Sequence, residues 1–432
     1  MKKAASYALG CKVNQYESEA IAELFAEKGY EIVGIDEAAD VYVINTCTVT
    51  NFGDKKSRQL IRKVKRQNEN AVVAVVGCYA QTAPQEIMKV EGVNLIIGTK
   101  DRGQIVEMVE DYNPQNGVEN HVSDIMKERV FEPLSIQKLA NRTRAYLKIQ
   151  DGCSQYCSYC IIPYARGPIR SREPKDVLEE VRCLAKNGFK EVVLTGIHVA
   201  SYGKDRKDTS LLDILRQVHE VEGISRIRFS SIEPNVVTEE FAKTMAELPK
   251  VCHHFHLSLQ SGCDKTLKEM NRKYDTEKYR QAAAMLRKYL PNVALTTDII
   301  VGFPGETEED YQESFDFAKE IGFSKIHVFP YSPKRGTPAA ERRDQLPNSV
   351  KTERSHKLLA LSDEMSTGFL DGYVGQSVEV LYEKQVTAGV YEGHTSNYIK
   401  VHGRSEEEIT NRIVLTKITH IDEENALGEV IL

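Results

Sequence analysis

The sequence predicts an α/β protein in three parts: a small doubly wound domain, a partial (β/α)6 barrel and a small antiparallel β-barrel. Three observations predict this. Apolar runs of strand length alternate with amphipathic helical stretches through residues 1–135. The same rhythm recurs on a larger scale through 141–365. From 371 to 432 the pattern changes to short β-rich runs separated by turn residues.

In the first part, residues 6–9, 41–45, 71–77 and 93–98 read as buried parallel strands, and 17–28 and 54–68 as helices between them. Residues 112–140 are polar, carry Asn-Pro and Asn-Gly, and read as a linker. In the second part the expected strands are 145–150, 191–196, 226–231, 255–260, 294–302 and 325–330, with helices such as 174–187 and 308–321. Polar residues gather at the strand C-termini, the end where barrels of this kind carry their sites. The third part fits about five antiparallel strands closed on themselves.

Composition narrows the class. Of the 432 residues 41% are hydrophobic, enough to bury real cores. No apolar run approaches the ~18 residues of a membrane span. The short apolar stretch after MKK is broken by Ser and Tyr, so it does not read as a signal peptide. The formal charge of −6 argues against a generic polycationic nucleic-acid binder. Nine cysteines, an odd number in a chain this large, are reduced thiols, metal ligands or core residues rather than a disulfide framework.

Six of those cysteines form two patterns. Cys153, Cys157 and Cys160, in DGCSQYCSYC, directly follow a predicted strand. Thiolates favour iron–sulfur clusters and zinc. Three of them suit a four-iron cluster with one iron left open, whereas zinc wants a fourth ligand that this loop lacks and a distant residue would have to supply. Cys11, Cys47 and Cys78 each follow a predicted strand of the first part, and such loops converge on one edge of a parallel sheet. The competing reading makes each a small buried apolar residue. Cys183, Cys252 and Cys263 show no pattern.

The C-x3-C-x2-C spacing resembles the radical S-adenosylmethionine enzymes. Their open iron is chelated by S-adenosylmethionine, which is cleaved to a 5′-deoxyadenosyl radical. TGIH, SSIEP, HLSLQSG and TDIIVGFPGET, at four successive strand ends, extend the likeness. It implies cofactor contacts at Tyr159, Gly196, His198, Ser231, Glu233, Gln260, Asp298 and Gly302. Together with GCKVNQYESE, INTCTVT, VVGCYAQ and DIIVGFPGETEEDY, these motifs resemble the methylthiotransferases over essentially the whole chain. That resemblance implies two [4Fe-4S] clusters, an auxiliary one on Cys11, Cys47 and Cys78 and a radical one on Cys153, Cys157 and Cys160. It also implies a TRAM domain at the C-terminus and replacement of C–H by C–SCH3, one S-adenosylmethionine giving the methyl group and a second the radical.

TGIHVASYG and HLSLQSGCD most resemble the branch that acts on N6-threonylcarbamoyladenosine beside the tRNA anticodon. Rival substrates within the chemistry are isopentenyladenosine in tRNA and an aspartate of a ribosomal protein. The rival outside it is a non-catalytic iron–sulfur RNA-binding protein. The expected partners are tRNA and an electron donor such as a flavodoxin or ferredoxin, with no membrane, for a monomer in the cytoplasm. RNA binding needs cations. Residues 371–432 carry 5 Lys and Arg against 11 Asp and Glu, net −6. The basic candidates are instead Lys55, Arg58, Arg62 and Lys65 at helical spacing, and Arg142, Arg144, Arg166, Arg170, Arg172, Lys334 and Arg335 around the barrel mouth. Arg166, Arg170 and Arg335 are the candidates for a carboxylate-binding pocket.

Overall fold

The computed structural model describes residues 1–136 and 143–431. The first part contains β1 (Lys3–Ala8), β2 (Glu31–Ile32), β3 (Val41–Thr46), β4 (Val72–Gly77), β5 (Leu95–Ile96) and β6 (Glu119–Asn120). They form one parallel sheet in the order β2-β1-β3-β4-β5-β6. β3 and β4 are apolar without alternation because both sheet faces are covered, one by a core around Tyr42, Ile44 and Ile61, the other by a core around Val43, Ile21 and Phe25. The register sets Ala8 beside Asn45 and Asn45 beside Val76. The chain therefore leaves β1, β3 and β4 at one edge, and Cys11, Cys47 and Cys78 follow there.

The stretch expected to be a linker is a packed strap. Residues 119–120 add β6, and Leu134 and Ile136 are buried against Tyr16 and Ala20 of the helix Lys12–Glu27. The Tyr16 hydroxyl donates to the Leu134 carbonyl at 2.6 Å. The strap's anchors are single apolar residues in polar surroundings, too sparse to register as periodicity. Its residues 137–140, and Arg142, lie outside the described residues.

The second part holds β7 (Arg144–Asp151), β8 (Arg170–Ser171), β9 (Glu191–Gly196), β10 (Arg226–Phe229), β11 (His254–His256), β12 (Ala294–Val301) and β13 (Lys325–Pro330). The sheets β10-β9-β7-β8 and β11-β12-β13 meet through parallel bridges at Ile227–Val251 and Ile232–Leu257. Six parallel strands thus curve into an open barrel, with the short antiparallel β8 hooked onto β7. Leu147, Ile149, Val192, Leu194, Phe255 and Leu295 face the outer helices. Their alternating neighbours, among them Lys148, Thr195, Arg228, His256 and Asp298, face inward.

A 24-residue helix, Asn348–Asp371, crosses the expected boundary between the second and third parts. Its buried side is largely polar, with Lys351, Arg354, Ser355 and Ser362 beside Leu358 and Leu361. An apolar-stripe reading therefore misses it. The Ser362 hydroxyl accepts from Ile326 N at 3.0 Å, holding the helix against β13.

The third part is a closed five-stranded barrel of β14 (Ser377–Thr387), β15 (Val390–Thr395), β16 (Lys400–Arg404), β17 (Ile413–Asp422) and β18 (Asn425–Ile431), in the order β14-β15-β16-β18-β17. It docks at the N-terminal end of the large barrel. Arg226 donates to the His394 and Glu379 carbonyls at 2.7 and 3.0 Å, and Arg144 to Glu383 at 2.7 Å. Tyr398 stacks on His254 and on His394, each at 4.9 Å, under the Arg228 guanidinium. Among the described residues, no helix is long and apolar enough to cross a membrane.

Candidate active site

Both cysteine sets lie at strand C-termini, and the backbone explains why. Gly10 has φ +97°, and a Cβ there would stand 2.7 Å from the Cys47 sulfur. The loops after β1 and β3 therefore touch, and only glycine permits it. Asn14 ties them further: its Nδ2 donates to the Leu9 and Thr46 carbonyls at 2.8 and 3.1 Å. In the second set Gly152 has φ +74°, and a Cβ there would collide with the Pro168 carbonyl. Cys153 N donates to Gly167 O at 3.0 Å, and Cys160 N to Cys157 O at 3.0 Å.

The thiols of each set feel one another. Burial, then the neighbouring Cys78 and Cys11, push Cys47 up to about 12. Burial and the adjacent Cys157 push Cys160 up to about 12, and burial pushes Cys153 up to about 11. Burial raises Cys78 too, opposed by a cation: Arg166 Nε donates to its sulfur at 3.1 Å. In the other set Arg272 Nη1 donates to the Cys157 sulfur at 3.1 Å. Each set thus has one sulfur already hydrogen-bonded by a guanidinium, Cys78 by Arg166 and Cys157 by Arg272.

No group of three Cys, His, Asp or Glu among the described residues is drawn in tightly enough to hold a single metal ion. Three soft donors per set, all free thiols, fit a four-iron cluster with one open iron.

The residues expected to contact a cofactor sit at the same end of the barrel, but not all face one place. Glu233 Oε1 accepts from Arg272 Nη2 at 2.8 Å, and its Oε2 lies 3.2 Å from His198 Nε2. Burial raises the Glu233 carboxyl, but His198 and the Arg272 guanidinium outweigh it and hold the group below the usual range. His198 N donates to Gln150 Oε1 at 2.8 Å, and the same Gln150 oxygen lies where a Cβ on Gly196 would go. Gln260 takes φ +72° and bridges the chain to β12 through Asp298 O. Asp298 pairs with His256 at 3.3 Å. Tyr159 packs beside Phe303 and Tyr331. Gly302 turns toward Lys351 of the long helix, and Ser231 is exposed. Glu306 is occupied structurally, accepting from Gly302 N at 2.6 Å and pairing with Arg354 at 2.6 Å.

The cations of the mouth are mostly spent inside the protein. Arg166 is fully buried on Glu17 and Asn14, Arg170 faces Asp151, and Arg172 pairs with Glu180 at 2.5 Å. Lys334 is buried on Asp54. Arg144 belongs to the docked C-terminal barrel. Of the three pocket candidates only Arg335 is exposed, with no ion pair among the described residues. Sequence reading also missed Glu17, Asp151 and Arg272. Glu17 meets Arg166 149 residues further on and Arg272 reaches Cys157 115 residues back, and no local spacing betrays such pairs.

Residues 333–339 stitch the two cysteine sets together. Asn51 Nδ2 donates to Pro333 O at 3.0 Å, Lys334 meets Asp54, and Ala339 N donates to Ser158 O at 2.8 Å. Arg335 therefore stands between the Cys47 loop and the Cys160 turn.

Comparison with known proteins decides the family. Residues 147–318 match the radical SAM superfamily, and 3–98 match the uncharacterized protein family UPF0004. The Bacillus subtilis threonylcarbamoyladenosine tRNA methylthiotransferase MtaB is 46% identical over 97% of this chain and 94% of its own length. The chain belongs to the radical S-adenosylmethionine methylthiotransferase family. The Aquifex aeolicus protein of the same name is 37% identical, over 94% of this chain and 98% of its own. A tRNA-2-methylthio-N(6)-dimethylallyladenosine synthase from Acetivibrio thermocellus is 35% identical, over 98% and 89%. Among solved structures, the radical S-adenosylmethionine methyltransferase TsrM of Kitasatospora setae matches with TM-score 0.56 at 15% identity, covering 79% of this chain and 74% of its own, which bears on the fold alone. The two matched regions divide the cysteines as the geometry does: Cys11, Cys47 and Cys78 in one, Cys153, Cys157 and Cys160 in the other. As a methylthiotransferase of this family the protein is an enzyme that works with [4Fe-4S] clusters and S-adenosylmethionine.

Proposed function

We propose that the protein converts N6-threonylcarbamoyladenosine in tRNA to its 2-methylthio derivative. Residues 1–135 act as the domain of the auxiliary cluster, held by Cys11, Cys47 and Cys78. Residues 141–365 form the radical barrel, with its cluster on Cys153, Cys157 and Cys160, and 371–432 form a TRAM-like barrel. Bound at these positions, the clusters and S-adenosylmethionine supply one-electron chemistry and the sulfur. The chain's own residues hold and shape that chemistry. Arg166 and Arg272 place positive charge against one sulfur of each set. His198, Glu233 and Gln150 fix the loop after β9 against the Cys157 side. Gly196, Gln260 and Asp298 complete the cofactor side of the site, whereas Tyr159, Gly302 and Ser231 turn to a packed cluster, to the long helix and to solvent.

The observation that carries this reading is that residues 333–339 bond both to the helix after Cys47 and to the Cys157–Cys160 turn, with Arg335 exposed in that segment. The threonylcarbamoyl group carries a carboxylate, and a guanidinium recognises one bidentately. The names of the Bacillus and Aquifex relatives support the same substrate. The enzyme works as a cytoplasmic monomer served by a flavodoxin- or ferredoxin-type donor. Anaerobic reconstitution with iron and sulfide, followed by single-turnover reaction with threonylcarbamoyl tRNA and nucleoside mass spectrometry, tests it. The 2-methylthio nucleoside is the expected product; S-adenosylmethionine cleavage without it would overturn the assignment.

A further inference from the structure

The helix Asn51–Gln67 carries seven Lys and Arg against a single Asp, in a protein whose net charge is −6. Its amphipathic sequence assigns the two faces. Asp54, Ser57, Ile61 and Val64 are buried on the sheet. The outer stripe is Phe52, Lys55, Lys56, Arg62, Lys63 and Arg66, all exposed. This is not quite the face that charge spacing suggested: Arg58 is drawn in to the Tyr79 hydroxyl at 2.7 Å, and Lys65 caps the Ala71 carbonyl. Lys63 pairs with Asp36. Lys55, Lys56, Arg62 and Arg66 have no anionic partner among the described residues.

The stripe begins at the active site. Thr50 caps the helix and Asn51 is bonded to Pro333, so its first turn abuts the loop between the cysteine sets. There Phe52 and Val49 are 63% and 54% exposed, just after Cys47, and Lys56 lies 4.7 Å over the Phe52 ring. From Phe52 to Arg66 the stripe runs about 21 Å along the axis at 1.5 Å per residue. An exposed aromatic at the mouth followed by a line of unpaired cations is the arrangement that stacks an unpaired base and tracks a phosphate backbone. The C-terminal barrel, by contrast, carries 5 Lys and Arg against 11 Asp and Glu.

We propose that this face of Asn51–Gln67 is the docking surface for the RNA arm that carries the modified adenosine. Phe52 stacks on an unpaired nucleotide next to it, and Lys55, Lys56, Arg62 and Arg66 follow the backbone leading away. The inference rests on the tRNA reading above and specifies how that substrate is held.

The test uses reconstituted holoenzyme and a synthetic RNA stem-loop bearing threonylcarbamoyladenosine, with binding read by fluorescence anisotropy across a salt series. The triple variant Lys55→Gln, Arg62→Gln, Arg66→Gln should bind at least about tenfold more weakly, with the slope of log K against log salt smaller by about 2. Phe52→Ala should weaken binding about tenfold with the slope unchanged, since stacking is not ionic. A control variant, Lys175→Gln with Lys319→Gln on outer barrel helices, should match wild type. In unaltered protein, acylation mass spectrometry should find Lys55 and Lys56 protected by the RNA. Wild-type affinity and slope in the triple variant, or unprotected Lys55 and Lys56, would overturn the docking surface, even if the enzyme still made product. Failure of the wild type to methylthiolate the stem-loop, with binding changed as described, would instead overturn the substrate. Equal weakening toward an acidic peptide with none toward the RNA would assign the face to a protein partner and overturn the proposal.

Discussion

Glu17→Gln should destabilise the protein more than any single change at the active-site surface. The Glu17 carboxylate is fully buried between the first domain and the large barrel. It meets Arg102 Nη1 at 2.5 Å, Lys148 Nζ at 2.7 Å and Arg166 Nη1 at 2.5 Å. Among the described residues Asp151 and Glu132 are the other carboxylates of this group, shared among Arg102, Lys148, Arg166 and Arg170. Removing one charge leaves two carboxylates facing four buried or nearly buried cations. Breaking a buried pair this way costs about 3–5 kcal/mol, which lowers the melting temperature of a domain of this size by roughly 10 °C. The chain has no Trp, so tyrosine fluorescence follows the transition. The double variant Glu17→Gln with Arg102→Gln should recover part of the loss, since it removes one of the stranded cations. Acid should act in the same direction. Burial raises the Glu17 carboxyl, but Arg102, Arg166 and Lys148 more than offset this and hold it well below the usual range. The stability it confers is therefore present above the ordinary Glu value near ~4.3 and disappears as pH falls through the depressed folded value. A Glu17→Gln protein melting within 2 °C of wild type, on the ~3 °C per kcal/mol scale, would mean that this buried ion network does not hold the two domains together.

Changing Cys153, Cys157 and Cys160 together to Ala should leave about half the iron of the reconstituted protein, because the other set stands on separate loops; loss of all iron, or of none, counts against two separable sites. Cys47→Ala should keep 5′-deoxyadenosine formation while abolishing methylthio product, both read in one reduced reaction. Arg335→Lys should selectively lose threonylcarbamoyl tRNA as a substrate, because Lys cannot reproduce the planar fork. Arg166→Lys should instead shift the reduction potential or paramagnetic resonance signal of the first-domain cluster, since it loses the bond to the Cys78 sulfur; an unchanged signal would remove that role.

Much of the fold was legible because its causes are local. Six strands of the large barrel could be read within a few residues, since buried parallel strands declare themselves as apolar runs bounded by turn residues. The strand 255–260 reads too long because Gln260 turns to positive φ and residues past His256 keep only isolated bridges. The cysteine sets were legible because equivalent loops of a parallel sheet share an edge. The partners of charges were not. Arg166 and Arg170 read as exposed hands for RNA or substrate, yet both are consumed by Glu17 and Asp151. Burial of a cation depends on an anion 149 residues away in the case of Glu17, and nothing local encodes it. The packed strap and the long helix Asn348–Asp371 were hidden for a related reason: their buried positions are few or polar.

Methylthiolation of threonylcarbamoyladenosine at this site makes a clear-cut prediction about substrate choice. Its most direct test offers reduced, reconstituted enzyme an equimolar mixture of two tRNAs, one carrying threonylcarbamoyladenosine and one isopentenyladenosine, and quantifies both 2-methylthio nucleosides by mass spectrometry. Product is expected from the threonylcarbamoyl tRNA alone, with that preference lost in Arg335→Gln. Product from the isopentenyl tRNA alone would contradict it.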